Sequence, residues 1–208
     1  MAARACEFEL DLTLNPARPH VLQGDQGYSR KGPDPGNASR YFSYTRLDTQ
    51  GLIHLDEEAH RGEGLGWMDR EWGSSALSEE QTGWDWFSLQ LSDGSDIMFY
   101  RLREENGQTS PFSKGLHVTP DGDTRLLTVN DVELDIQSHW QSPKTGVRYP
   151  LAWQLRIPEL APTLNIEPRL EAQEIDGTFR YWEGAMTVEG EREGQAIDGQ
   201  GYLELAGY

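Results

Sequence analysis

A chain of 208 residues is long enough for one substantial domain with a real core. Its 35 acidic residues against 18 basic ones give a formal charge of -17, which argues against nucleic acid or an anionic membrane surface as partner. Seven Trp, eight Tyr and six Phe exclude an acid-rich disordered segment, and the single Cys6 excludes an intrachain disulfide or a cysteine-based zinc site.

The start, MAARACEFELDL, lacks the long apolar run of a signal peptide because charge returns by Glu7. No stretch approaches the roughly 18 apolar residues of a membrane span, so the chain is not expected to cross a bilayer. FELDLTL, Phe8 to Leu14, alternates apolar and polar residues strictly and predicts a half-buried strand before Pro16 and Pro19. Gln23 to Ser39 is rich in Gly, Pro, Asp and Ser and reads as a connector. HLDEEAH, His54 to His60, lacks the spacing of a common zinc pair and reads as a solvated acidic loop.

Short aromatic and β-branched runs predict strands in RYFSYTRL, WDWFSLQL, DIMFYRLR, TRLLTV, VELDI, YPLAWQLRI, FRYWEGAMTVEG and GYLELAGY. Asp-Gly pairs in SDGSD and TPDGDT mark hairpins. The one short helix expected is SALSEEQ, Ser75 to Gln81. The fold class is therefore all-β and antiparallel, a barrel or a sandwich. In WDWFSLQL, Trp84, Trp86, Ser88 and Gln90 share one face, and Asp85, Phe87, Leu89 and Leu91 the other. Such a strand fits a barrel wall with one face packed and the other turned into a cavity of mixed polarity.

GWMDREWGSS and GWDWF set acids among tryptophans. Asp69, Glu71, Asp85 and Glu183 each lie within two positions of an indole, which would desolvate the carboxyl and raise its pKa toward that of a useful general acid. Indole faces also stabilise cations. The competing reading has these acids facing solvent or pairing with Arg70, Arg101 or Arg180. His117 and His139 are either proton shuttles or histidines satisfied by hydrogen bonds. With no G-x-S-x-G elbow, P-loop or dinucleotide fingerprint, no cofactor and no metal is assigned.

The blocks FELDLTLNPARPHVLQGDQGYSRKG, RYFSYTRL, GWMDREWGSS, GWDWFSLQLSDG, YPLAWQLRIP, YWEGAMTVEG and GQGYLELAGY together resemble the lipocalin-like AttH family. That group includes carotenoid 1,2-hydratase (hydroxyneurosporene synthase) and bacterial proteins described as predicted secreted hydrolases, and its members are often exported. The resemblance implies a calycin-type antiparallel β-barrel. Full members look like two such domains in tandem, and this chain resembles the later part. Residues 1–39 would be a strand and connector left from a first lipocalin-like domain, and residues 40–208 the barrel.

The hydratases protonate an isolated alkene and capture the tertiary carbocation with water. In MDREW, Asp69, Glu71 and Trp72 match the hydratase block, while Arg70 stands where a histidine is expected, a permanent cation that cannot shuttle a proton. Related fungal members are cyclases acting on polyketide chains. The resemblance thus implies acid-base hydration or hydrolysis of a hydrophobic small molecule (a terpenoid or carotenoid, lipid or polyketide). Asp69 or Glu71 would be the general acid, Arg70 the orienter and Tyr100 a hydrogen-bond donor, with Trp67, Trp72, Trp84, Trp86 and Trp182 shaping the cavity. The alternatives are a binding module that converts nothing, and a structural role for the DREW block at an interface with a second copy or a missing first barrel.

Overall fold

The computed structural model describes residues 1–4, 8–56, 58–73, 77–160 and 162–208. Cys6 lies outside them. Sixteen antiparallel strands form two sheets among the described residues, joined by turns and a single 3-10 turn, Pro158–Leu160. No helix among the described residues is long and apolar enough to cross a membrane.

The smaller sheet is built on β5 (Ala38–Leu55). One edge of β5 takes up in turn β2 (Phe8–Pro16), β3 (Val21–Leu22) and β4 (Tyr28–Arg30), with β1 (Ala2–Arg4) beyond β2; its other edge pairs along its length with β6 (Glu58–Gly73). FELDLTL is the half-buried strand its alternation predicts. The supposed connector is more ordered than its Gly and Pro content suggests, since it contributes β4 and the first two residues of β5 to this sheet. Of HLDEEAH, read as an acidic loop, His54 and Leu55 end β5 and Glu58 to His60 begin β6, Asp56 adopts a left-handed φ of 54°, and Glu57 lies outside the described residues.

The larger sheet runs β10 (Thr124–Thr128), β9 (Lys114–Val118), β8 (Asp96–Glu104), β7 (Gln81–Leu91), β16 (Gln195–Ala206), β15 (Arg180–Arg192), β13 (Pro162–Pro168), β12 (Arg148–Arg156), β11 (Glu133–Gln141), with β14 (Glu174–Asp176) also on β15. Both Asp-Gly segments make the expected hairpins, with Gly94 at φ 84° between β7 and β8 and Gly122 at φ 92° between β9 and β10. The expected helix is absent from its described residues: Leu77 to Glu80 form a turn, held by the Ser78 amide donating to Gln81 Oε1 at 2.9 Å, and Gln81 already begins β7. Ser75 and Ala76 lie outside the described residues.

This sheet curls into a half-barrel whose hollow is filled. Phe87, Leu89 and Leu91 of β7 meet Leu127, Trp153, Leu155, Ile166, Trp182 and Leu205 there, all essentially buried, and Phe87 stands edge-on to Trp153 at 5.3 Å. Each such side chain contributes about 1.5–3 kcal/mol by leaving water. Asp85 enters the same core with its charge compensated. Arg101 Nε donates to it at 2.6 Å, Tyr208 Oη donates at 2.6 Å, and Arg103 lies at 3.6 Å and stacks over the Tyr208 ring.

A second buried carboxylate ties the two sheets together. Asp96, at the start of β8, receives Arg46 of β5 at 2.6 Å and lies 3.6 Å from Arg18, whose guanidinium also donates to the carbonyls of Thr119 and Gly94. These contacts hold the β5–β6 hairpin against the outer face of β7 and β8. Gly115 of β9 lies close against β8, where a Cβ would collide with the Met98 carbonyl. Gly115→Ala is therefore expected to cost about 1–3 kcal/mol through overpacking, read as a lower urea midpoint at unchanged m-value.

Candidate functional site

A cavity of about 930 Å³ lies between the β5–β6 hairpin and the outer face of the half-barrel, on the side of the sheet opposite the filled core. The alternation of WDWFSLQL positions it: Trp84, Trp86, Ser88 and Gln90 line the cavity, while Asp85, Phe87, Leu89 and Leu91 face inward. The cavity face of mixed polarity is thus the barrel's outer surface.

On the hairpin, register brings the polar groups together. Ser43 is the cross-strand partner of Asp69 and Tyr41 that of Glu71, so all four side chains share one face with Trp67. Tyr41 Oη donates to Asp69 Oδ2 at 2.5 Å, Ser43 Oγ donates to Oδ1 at 2.5 Å, and Trp67 Nε1 donates to Oδ1 at 2.8 Å. Behind them Trp86 Nε1 donates to Tyr41 Oη at 3.1 Å and Gln23 Nε2 to Ser43 Oγ at 2.9 Å. Each hydroxyl thus has an acceptor site filled from behind, which commits its proton to Asp69.

Asp69 is reachable from the cavity but ringed by protein on its other sides. Desolvation pushes its carboxyl above the ordinary range, opposed by the hydrogen bonds from Ser43, Tyr41 and Trp67. The upward push is weakest while water fills the cavity and grows when an apolar molecule displaces it. Tyr41 is held well above the usual phenol range by burial and by the Asp69 charge, so it remains a donor.

Glu71 is engaged differently. Lys31 Nζ lies 2.8 Å from it and Ser39 Oγ donates at 2.5 Å, while the Lys31 ammonium sits 4.0 Å over the Tyr100 ring. Tyr100 lines the cavity with its ring, and its hydroxyl is bonded to Ser29 at 2.8 Å, away from Asp69. Across the cavity Trp84 Nε1 donates to Glu204 Oε1 at 2.5 Å. Trp67 meets Trp86 edge-on at 6.1 Å, and Trp72 stands at the rim, 55 % exposed.

Of the residues singled out in the sequence, Asp69, Glu71, Trp67, Trp72, Trp84, Trp86 and Tyr100 therefore come together. Arg70 does not, because it follows Asp69 on the strand, points to the opposite face and is exposed. Trp182 does not either: it fills the inner core and donates to the Glu171 carbonyl at 2.7 Å. Neither His117 nor His139 lines the cavity. Tyr41, Ser43, Ser39, Lys31 and Glu204 escaped the sequence reading. The alternation of Tyr41 and Ser43 in RYFSYTRL, and of Glu204 between buried Leu203 and Leu205, was the available signal.

Comparison with known proteins bears on the fold and the family. A crystal structure from Nitrosomonas europaea described as AttH superposes with a TM-score of 0.89 at 36% sequence identity, covering 100% of this chain and 64% of that one. Kievitone hydratase from Nectria haematococca shares the fold, with a TM-score of 0.78 at 20% identity over 98% of this chain and 63% of that one. Among curated sequences, dehydratase asqC of Emericella nidulans is 23% identical over 94% of this chain and 57% of its own length. Acyclic carotenoid 1,2-hydratase of Cereibacter sphaeroides is 31% identical over 83 residues, 40% of this chain and 29% of its own length. The chain thus spans less than two thirds of each of these relatives. The half-barrel is lipocalin-like, and with the AttH-like family model matching residues 1–208, the chain belongs to the AttH-like family.

Proposed function

We propose that this chain holds an extended apolar molecule in the cavity between hairpin and half-barrel and adds water across a carbon–carbon double bond of that molecule, or forms such a bond by removing water from an alcohol. The observation that carries the reading is Asp69, a carboxyl fed by three donors and set among Trp67, Trp84 and Trp86. A cavity of about 930 Å³ with aromatic walls suits a drug-sized or larger apolar ligand. Hydration of an alkene needs proton transfer and shelter for a cationic intermediate; dehydration of an alcohol is the same path reversed. Carboxyls and indole faces supply both. The relatives named as a dehydratase and a hydratase support this class of reaction.

In this reading Asp69 exchanges the proton, and Tyr41, Ser43 and Trp67 fix its orientation. Glu71, neutralised by Lys31, shapes the polar end of the cavity, and the tryptophans bind the apolar chain. Arg70, outside the cavity, takes no part. Hydrolysis through a covalent intermediate has no support among the described residues of the cavity lining, where no hydroxyl or thiol nucleophile is paired with a histidine.

The test is incubation of the protein with an acyclic isoprenoid bearing an isolated trisubstituted alkene in oxygen-18 water. The expected product is a tertiary alcohol carrying the label. Saturable binding of several such alkenes with no labelled alcohol, and no loss of water from the matching alcohols, would instead make the chain a carrier.

A further inference from the structure

We infer that Glu204 is a second functional carboxyl of this cavity, the proton donor that faces Asp69 from the opposite wall. The inference rests on the hydration reading above and divides its acid-base work between two groups.

The geometry separates them. Asp69 stands on β6, in the hairpin wall, and Glu204 on β16, in the half-barrel wall, and both line the cavity. Glu204 lies in register with Trp86, which in turn lies in register with Tyr100, so its side chain emerges on the cavity face in a row of aromatics. Its flanking residues Leu203 and Leu205 are fully buried on the other face and hold the strand in place.

The hydrogen-bond donors divide the roles. Three donors aimed at Asp69 oppose the rise that burial gives its carboxyl, and once ionised that carboxylate accepts a proton. Glu204 receives one donor, from Trp84, and faces carboxylates at Glu183 on β15 and at Asp69 and Glu71 on β6. Among the described residues the cations on the cavity wall are Lys31, already engaged by Glu71, and the exposed Arg169, while Tyr181 and Tyr202 are hydroxyls that feel the Glu204 charge. Desolvation, together with those like charges, raises the Glu204 carboxyl above its ordinary range, so it keeps its proton longer than an exposed glutamate.

The step balances. The alkene π pair takes the Glu204 proton to form a C–H bond, leaving Glu204 ionised and a cation on the neighbouring carbon between the indole faces. Water attacks that carbon, the C–O bond forms, and the water's second proton passes to Asp69. The net change is addition of one water. Exchange with bulk water through the cavity mouth then reprotonates Glu204 and deprotonates Asp69.

The test uses decyltrimethylammonium, a permanent cation on an apolar chain, and decanol, its neutral counterpart. Their affinities for wild type and Glu204→Gln are measured between pH 4 and pH 9. Wild-type affinity for the cation should climb as the carboxyls ionise, and Glu204→Gln should lack one step, leaving it about tenfold weaker at pH 9 with decanol binding unchanged. Equal cation binding in both proteins overturns the inference, as does an equal loss for cation and decanol, which would make Glu204 merely structural. The labelled-water assay separates the two claims. A wild type that hydrates alkenes while Glu204→Gln keeps full rate sinks the proton-donor role alone; a wild type with the cation step but no turnover sinks the hydration reading, and the proton-donor role with it.

Discussion

Asp69→Asn is expected to lower turnover by roughly 10²–10⁴-fold, the range associated with one acid-base group. The amide oxygen can still accept from Ser43 and Trp67, so the cavity should keep its shape and decanol its affinity; what is lost is a site that takes up a proton. The wild-type rate should describe a bell against pH. Its rising limb is ionisation of Asp69, with Tyr41, Glu71 and Lys31 as the titratable groups around it. Because desolvation raises the Asp69 carboxyl, this limb should lie above the ordinary aspartate value of about 3.9. The falling limb is loss of the Glu204 proton, also displaced upward. Kinetics in which Asp69→Asn retains more than a tenth of the wild-type rate would remove Asp69 from the chemistry.

The largest stability loss is expected from Asp85→Ala. Asp85 is fully buried and compensates Arg101 and Arg103, whose side chains are only 16% and 14% exposed. Removing it strands two guanidiniums at the edge of the core and takes the acceptor from Tyr208, and breaking such a pair costs about 3–5 kcal/mol. Chemical denaturation should show a fall of that size. A loss below about 1 kcal/mol would mean that water already reaches the cluster.

The sequence announced the strands whose alternation is clean and hid those whose alternation is broken. FELDLTL, WDWFSLQL and YPLAWQLRI read correctly because one face of each is apolar, and the Asp-Gly turns read correctly because their glycines supply a left-handed φ. The segment forming β6 was not read as one long strand, since Gly62, Gly64 and Gly66 interrupt the pattern and much of it is exposed. SALSEEQ has helix-compatible composition, but Gln81 enters the sheet beside Glu104 and leaves only a turn before it.

The site was half legible for a related reason. Local mixtures of acid and indole pointed to Asp69, Glu71, Trp84 and Trp86, and these do meet. The same signal flagged Asp85, whose partners are the more distant Arg101, Arg103 and Tyr208. It also led to Trp182, which strand parity sends into the core. Conversely Tyr41, Ser43 and Glu204 carry no local signal beyond strand alternation, because Tyr41 and Ser43 meet Asp69 only through the register of the β5–β6 hairpin and Glu204 reaches the cavity from β16, far along the chain. Which side of the curled sheet holds the cavity depends on where the hairpin docks. That is decided by Arg18 and Arg46 converging on Asp96, a contact between segments 50 and more residues apart.

The central claim, that the chemistry belongs to the cavity between hairpin and half-barrel, is tested most directly by a crystal structure of Asp69→Asn soaked with the tertiary alcohol 2-methyldodecan-2-ol. The account predicts the alkyl chain along Trp67, Trp84 and Trp86, with the hydroxyl within hydrogen-bond reach of Glu204 or the residue-69 amide. The alcohol ordered elsewhere on the protein, with this cavity holding only water, would contradict it.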